Sequence, residues 1–149
     1  MCLSIILSLG SIKLLSKLMN KICTDLEQSQ KLIELGIDVK TTDMFWDMAE
    51  PEKRRKPLIG PISDYYDMEN WAVPAWSITA LLGLMPFQII ENNNRFGFYQ
   101  TKGFNKQGET YRLGYKTNND SFLFETSWHN GVVDAAFEMV CWLKENNKI

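Results

Sequence analysis

Residues 86–127 read PFQIIENNNRFGFYQTKGFNKQGETYRLGYKTNNDSFLFETS, short apolar and aromatic runs divided by clusters of Asn, Asp, Lys and Gly. Asn, Asp and Gly tolerate the backbone of tight turns, so each cluster marks a chain reversal. The separators at 92–94, 103–108 and 118–120 leave strands at residues 87–91, 95–101, 109–116 and 121–126. Strands joined by such short links pair with their sequence neighbours, and an antiparallel meander is the economical topology. In the third strand Tyr111, Leu113 and Tyr115 alternate with Thr110, Arg112 and Lys116. That alternation suits a sheet covered on one side only.

The cover comes from the flanking sequence. Beyond the strands, residues 132–146 form the strongest helical pattern, with Val133, Ala136, Phe137, Val140 and Lys144 on one side and Met139, Cys141 and Leu143 beside it. Asn130 is a candidate N-cap, and Asp134 and Lys144 complement the helix dipole. Ahead of the strands, residues 75–85 are apolar over more than one stripe, start near Pro74 or Ser77 and stop at Pro86. Further upstream, Thr24-Asp25-Leu26-Glu27 has the form of a capping box, opening a helix through Leu26, Leu32, Ile33 and Leu35. Gly36 suits its C′ position, with Ile37 folding back over the last turn.

Met44-Phe45-Trp46 reads as a short strand, and residues 47–74 read as a long loop containing four prolines. The expected fold is therefore α+β: helix, short strand, long loop, helix, a four-stranded antiparallel meander and a final helix, with the helices packed on the sheet.

A chain of 149 residues is the size of one domain with one core. Its 45% apolar and 23% charged residues match a globular protein. A net charge of −2 and a pI near 5.4 give no overall field for a nucleic-acid backbone. Cys2, Cys23 and Cys141 are scattered and odd in number, which fits free thiols in a reducing cytoplasm. Residues 1–18 stand apart: Lys13 and Lys17 follow the apolar run, whereas a secretory signal places its basic residues first. The run is too short to span a bilayer, for which about 20 apolar residues are needed. Residues 1–18 thus read as an upstream-start extension or an atypical leader, and 19–149 as the domain.

The stretch Asp134-Ala135-Ala136-Phe137-Glu138-Met139-Val140-Cys141-Trp142-Leu143-Lys144-Glu145-Asn146 resembles an uncharacterised family of small proteins common in phages and prophage-like elements of gut bacteria. Residues 23–29 with 32–36, and Trp76-Ser77 with Ala80-Leu81-Leu82, are similar to the same family. The resemblance implies a mobile-element setting in a bacterial cytoplasm and carries no activity, cofactor or catalytic residue.

The candidate sites are few. His129, the lone histidine, would need Cys23, Cys141 or a carboxylate beside it to do nucleophilic or acid–base chemistry; a buried structural thiol is the simpler role for Cys141. Asp64, Asp67 and Glu69 lack the glycine and terminal glutamate of a calcium loop, and read as a solvated acidic segment. Gly103 and Gly108 are turn glycines. Lys53-Arg54-Arg55-Lys56 could meet phosphates or an acidic partner, while Trp46, Trp71, Trp76 and Trp128 read as cover for the core. No cofactor or metal is implied. The expected function is non-enzymatic: an accessory protein binding an unidentified protein through Lys53, Arg54, Arg55, Lys56, Tyr65, Tyr66 and Trp71, because Tyr, Trp and Arg dominate binding hot spots. The alternatives are a small enzyme using His129 and a nucleic-acid-binding regulator using the basic run.

If residues 1–18 lie outside the domain, a chain beginning at Met19 melts at the temperature of the full chain. A large fall would show that Leu3, Ile6 and Leu7 pack in the core, at about 1.5–3 kcal/mol for each fully buried aliphatic side chain.

Overall fold

Two-residue reversals with a left-handed backbone fit the twist of paired strands, and Asn is the side chain that accepts them most readily after Gly. In the computed structural model, which describes residues 21–60 and 71–149, Asn92 and Asn93 both adopt positive φ and join β4 (Gln88–Glu91) to β5 (Asn94–Asn105). A second tight hairpin joins β5 to β6 (Gly108–Lys116), and β7 (Phe122–Glu125) completes a sheet in the order β4-β5-β6-β7, antiparallel throughout. The α+β meander is thus as the turn clusters indicate. Only β5 is much longer than expected, because it continues through Gly103 to Asn105.

One face of this sheet is covered. Ile89, Phe96, Leu113 and Tyr115 point into a core shared with α3 (Val132–Glu145), which contributes Val133, Ala135, Ala136, Met139, Val140 and Leu143. Phe124 stacks on Trp142 with ring centroids 4.5 Å apart. The buried stripe of α3 therefore runs through Ala135, Met139 and Leu143, while Phe137 and Lys144 sit at its margin rather than on it. Nor is Asn130 the N-cap. Gly131 holds that position without a side-chain cap, and the Asn130 amide instead donates to Gln107 in the β5–β6 turn.

The first described helix, α1 (Leu26–Glu34), ends in a complete Schellman motif: Gly36 has φ +77°, Gly36 N–H donates to Ile33 and Ile37 N–H to Leu32. Its start is shifted by one residue from the sequence expectation. Asp25, not Thr24, is the N-cap, and it exchanges bonds with Gln28 rather than Glu27. The Thr24 hydroxyl is unable to cap because it is used in the core, where it accepts from Trp76 N–H at 3.0 Å and meets Ser29 Oγ at 2.8 Å. Ser77 caps α2 (Ile78–Gly83), whose C-terminal end precedes Pro86.

The described part of the long loop carries strands: β1 (Met44–Asp47) pairs on one side with β2 (Pro57–Ile59) and on the other with β3 (Ala72–Ala75) in a second antiparallel sheet, with a 3-10 turn at Glu52–Arg54 between β1 and β2. Pro57 and Pro74 lie in the outer strands, where a missing N–H need not break the ladder. Cys23, Met44 and Ala75 form a small core there, with Trp46 packed against it. The start-site reading of residues 1–18, the acidic group Asp64, Asp67 and Glu69, and the tyrosines Tyr65 and Tyr66 lie outside the described residues. No helix among the described residues is long and apolar enough to cross a membrane.

Thr24 and Trp76 join the two sheets, and both are fully buried. Replacing Thr24 by Val keeps the volume but strands Trp76 N–H and Ser29, at a cost of about 1–3 kcal/mol for an unsatisfied buried donor. Thr24→Ser retains the hydroxyl and loses one methyl, so urea denaturation should find Thr24→Val clearly the less stable of the two.

Candidate functional site

The basic run does not present four charges together. Glu52–Arg54 form a 3-10 turn held by Arg54 N–H donating to Pro51. This turn exposes Lys53 and Arg54 and, after Arg55, Lys56. Arg55 turns the other way. It is half-buried, its Nε donates to the Glu50 carbonyl at 3.1 Å, and it lines a cavity of about 320 Å³ with Trp46, Glu52, Asp25, Leu26 and Glu27. The recess thus lies between the start of α1 and the segment from β1 to β2. Its floor is fixed by Trp46, whose Nε1 donates to the Thr24 carbonyl at 2.9 Å.

Trp71 is 58% exposed at the start of the β3 segment, while its carbonyl accepts from Met48 N–H at 2.7 Å. The backbone is therefore anchored and the indole faces solvent. Trp128 is also exposed, at 44%, so of the tryptophans read as core cover only Trp76 is fully buried. Trp46 is half-buried against the smaller core.

Trp128 belongs to a cluster on the uncovered face of the four-stranded sheet that the sequence reading missed. Tyr99 lies over Gly114, where an added Cβ would come within 2.5 Å of its ring, and Trp128 lies over Gly103 at 3.0 Å. Between them the Arg112 guanidinium stacks on Trp128 at 4.6 Å and reaches Glu125 at 3.4 Å, and Tyr99 Oη donates to the same carboxylate. Burial and the Glu125 charge push the Tyr99 phenol up. The alternation of Tyr99, Gly103, Arg112 and Gly114 about the strands was the available signal, since small residues facing large ones across a pair leave room for rings. Charges and rings satisfy one another here, apart from Arg112 Nε, which is buried without a hydrogen-bond partner.

His129 meets the Glu138 carboxylate, which also accepts from Ser127 N–H at 3.1 Å. Its backbone pairs with Tyr111 in both directions. Both contacts fasten the chain between β7 and α3. A carboxylate therefore does stand beside the histidine, as one of the enzyme readings requires. The thiols offer less: burial pushes Cys23 and Cys141 up to about 11, so neither supplies a thiolate at neutral pH. Among the described residues no group of His, Cys, Asp or Glu side chains is placed to hold a metal ion.

At the mouth of the recess, Lys21 Nζ reaches Asp25 at 2.7 Å, Gln28 Oε1 at 2.6 Å and Asp134 at 2.8 Å, tying the start of α1 to the start of α3. Burial pushes the Asp25 carboxyl up, but the Lys21 ammonium and the Gln28 and Glu27 amides outweigh it and hold the group below its ordinary 3.8. A depressed carboxyl pKa contributes stability that is present above the unfolded value and lost as pH falls through the folded one. The stability gap between the wild type and Asp25→Asn should therefore shrink between neutral pH and about pH 3 in chemical denaturation. Comparison with family models, with curated proteins and with solved structures finds no match for this chain.

Proposed function

We propose that this chain is a non-catalytic interaction domain, an accessory protein of a phage or mobile element that binds another protein through the surface around the smaller sheet. The observation that carries this reading is the division of the 52–56 segment: Lys53, Arg54 and Lys56 face solvent beside a recess walled in part by Trp46 and Leu26, with Trp71 exposed in the turn just before β3 of the same small sheet. A recess with Trp46 and Leu26 in its wall and Asp25, Glu27, Glu52 and Arg55 around them suits an apolar anchor side chain, and the exposed cations Lys53, Arg54 and Lys56 beside it suit acidic residues farther out, since buried apolar anchors hold an interface and rim charges steer the encounter. Trp71 adds contact area at small entropic cost. Beneath this surface Trp46 and Arg55 are held by hydrogen bonds to the Thr24 and Glu50 carbonyls. The resemblance of the α3 sequence to phage-associated proteins supports the setting, and the free thiols Cys23 and Cys141 are compatible with a reducing compartment.

Photo-crosslinking from Trp71 and from Lys53 in the native host, against a control position at Gln30 on α1, identifies the partner. Trp71→Ala and Arg54→Glu should each weaken its binding about tenfold or more, with stability changed by only about 0.5 kcal/mol. If both variants bind the crosslinked protein as tightly as the wild type, the surface is not the contact.

A further inference from the structure

In an antiparallel hairpin, alternate residues turn their N–H and C=O groups toward opposite edges of the strand. Along β5 the residues that face β4 are the even-numbered ones, as Phe98 N–H donating to the Phe87 carbonyl shows. The β4 strand ends at Gln88, opposite Gly97, but β5 runs on to Asn105. Gln100, Lys102 and Phe104 thus hold backbone donors and acceptors toward an edge on which no described strand lies, and all of them are exposed. The other side of the same overhang is closed: β6 bonds to His129, and Asn130 bonds to Asn105 and Gln107. Among the described residues the overhang is therefore braced on one side and open on the other.

We infer that this open edge is the site at which a second copy of the chain pairs, β5 against β5, to make a continuous eight-stranded sheet across a two-fold axis at Lys102. Length carries the argument first. The vacant edge beside residues 99–105 has the length of the segment that would fill it, so each overhang occupies the notch left by the other's short β4. Parity comes next. Centring the axis on Lys102 puts Gln100 opposite Phe104 of the other copy and Lys102 opposite its equivalent, and in each pair both residues face the new interface and exchange both backbone bonds. An axis on Thr101 or Gly103 leaves one of the three open residues without a partner. The side chains agree as well. Phe87 and Phe104 are 86% and 77% exposed, lie on the same face of the sheet and mark the two ends of the notch. The two-fold brings Phe104 of each copy next to Phe87 of the other and covers both. Lys102 meets a like charge at the axis, offset in each copy by Glu109 at 2.7 Å.

Sedimentation equilibrium of the full chain over a range of concentrations should show a monomer–dimer equilibrium. Phe104→Asp, at an exposed position, should weaken it about tenfold or more while leaving the melting temperature of the monomer unchanged. Lys102→Thr should strengthen it by removing the repulsion. Amide exchange followed by NMR gives the register: Gln100, Lys102 and Phe104 become protected as concentration rises, while Thr101 and Gly103, bonded to β6, are protected at every concentration. A chain that remains monomeric at the highest concentration, or a dimer in which those even-numbered amides exchange as in the monomer, overturns the inference.

Discussion

Everything in this fold hangs on the union of Thr24 with Trp76. Thr24 N–H donates to the Trp76 carbonyl and Trp76 N–H to the Thr24 hydroxyl, both at 3.0 Å, in a site closed to solvent. The same two residues reach outward: the Thr24 carbonyl accepts from the Trp46 indole, and the Trp76 indole donates to Thr41 Oγ1 at 2.9 Å. The start of α1, the turn before β1, β1 itself and the entry to α2 are thereby fixed to one point. Its neighbours add to it, since Ser77 N–H donates to Asp43 at 2.9 Å. A buried polar knot of this kind is stabilising only when every member is satisfied, because an orphaned donor in a dry site is costly. The knot explains why the smaller sheet, whose described core is Cys23, Met44 and Ala75 with Trp46 against it, holds its place against the larger one.

This constraint also marks where the sequence stops being legible. The meander was readable because its determinants are local: Asn92 and Asn93 in left-handed turns, and alternation along β6. The Schellman end of α1 was readable for the same reason. The smaller sheet was not, because β2 and β3 are short, contain Pro57 and Pro74, and find β1 only through long-range pairing. Proline argues against a central strand, and here both prolines lie in outer strands, so the argument was correct about position and misleading about existence. The capping shift from Thr24 to Asp25 has the same root. Two capping boxes overlap in Thr24-Asp25-Leu26-Glu27-Gln28, and a contact with Trp76, far away in sequence, decides between them.

For the candidate site, composition singled out the 53–56 segment and could not sort its members. Four consecutive basic residues look equivalent on paper. The 3-10 turn and the start of β2 separate them by turning Arg55 toward Glu50 and the Trp46 recess while its neighbours stay in solvent. The tryptophans divide likewise. Trp76 is buried with its backbone and indole both used in the knot, whereas the Trp71 carbonyl meets Met48 N–H and its side chain is exposed. His129 illustrates the converse: sequence placed no carboxylate near it, and Glu138 reaches it only because α3 folds back beneath the strand end.

The two sheets treat their edges differently, and that contrast has physical content. An open strand edge invites pairing with other chains, and proteins usually blunt it with proline, charge or short length. Both outer strands of the smaller sheet carry proline and are short. In the larger sheet β7 is short and continues into the His129 bridge. Among the described residues the overhang of β5 has no such guard except Lys102, and that ammonium is drawn aside to Glu109. Trp128 lies over Gly103, where an added Cβ would sit 3.0 Å from its ring, so the indole packs closely on the solvent face of the strand. Braced by β6 and Asn130 on one side and met by no described strand on the other, the segment keeps the geometry of a paired strand before any partner arrives, which removes much of the ordering cost of pairing.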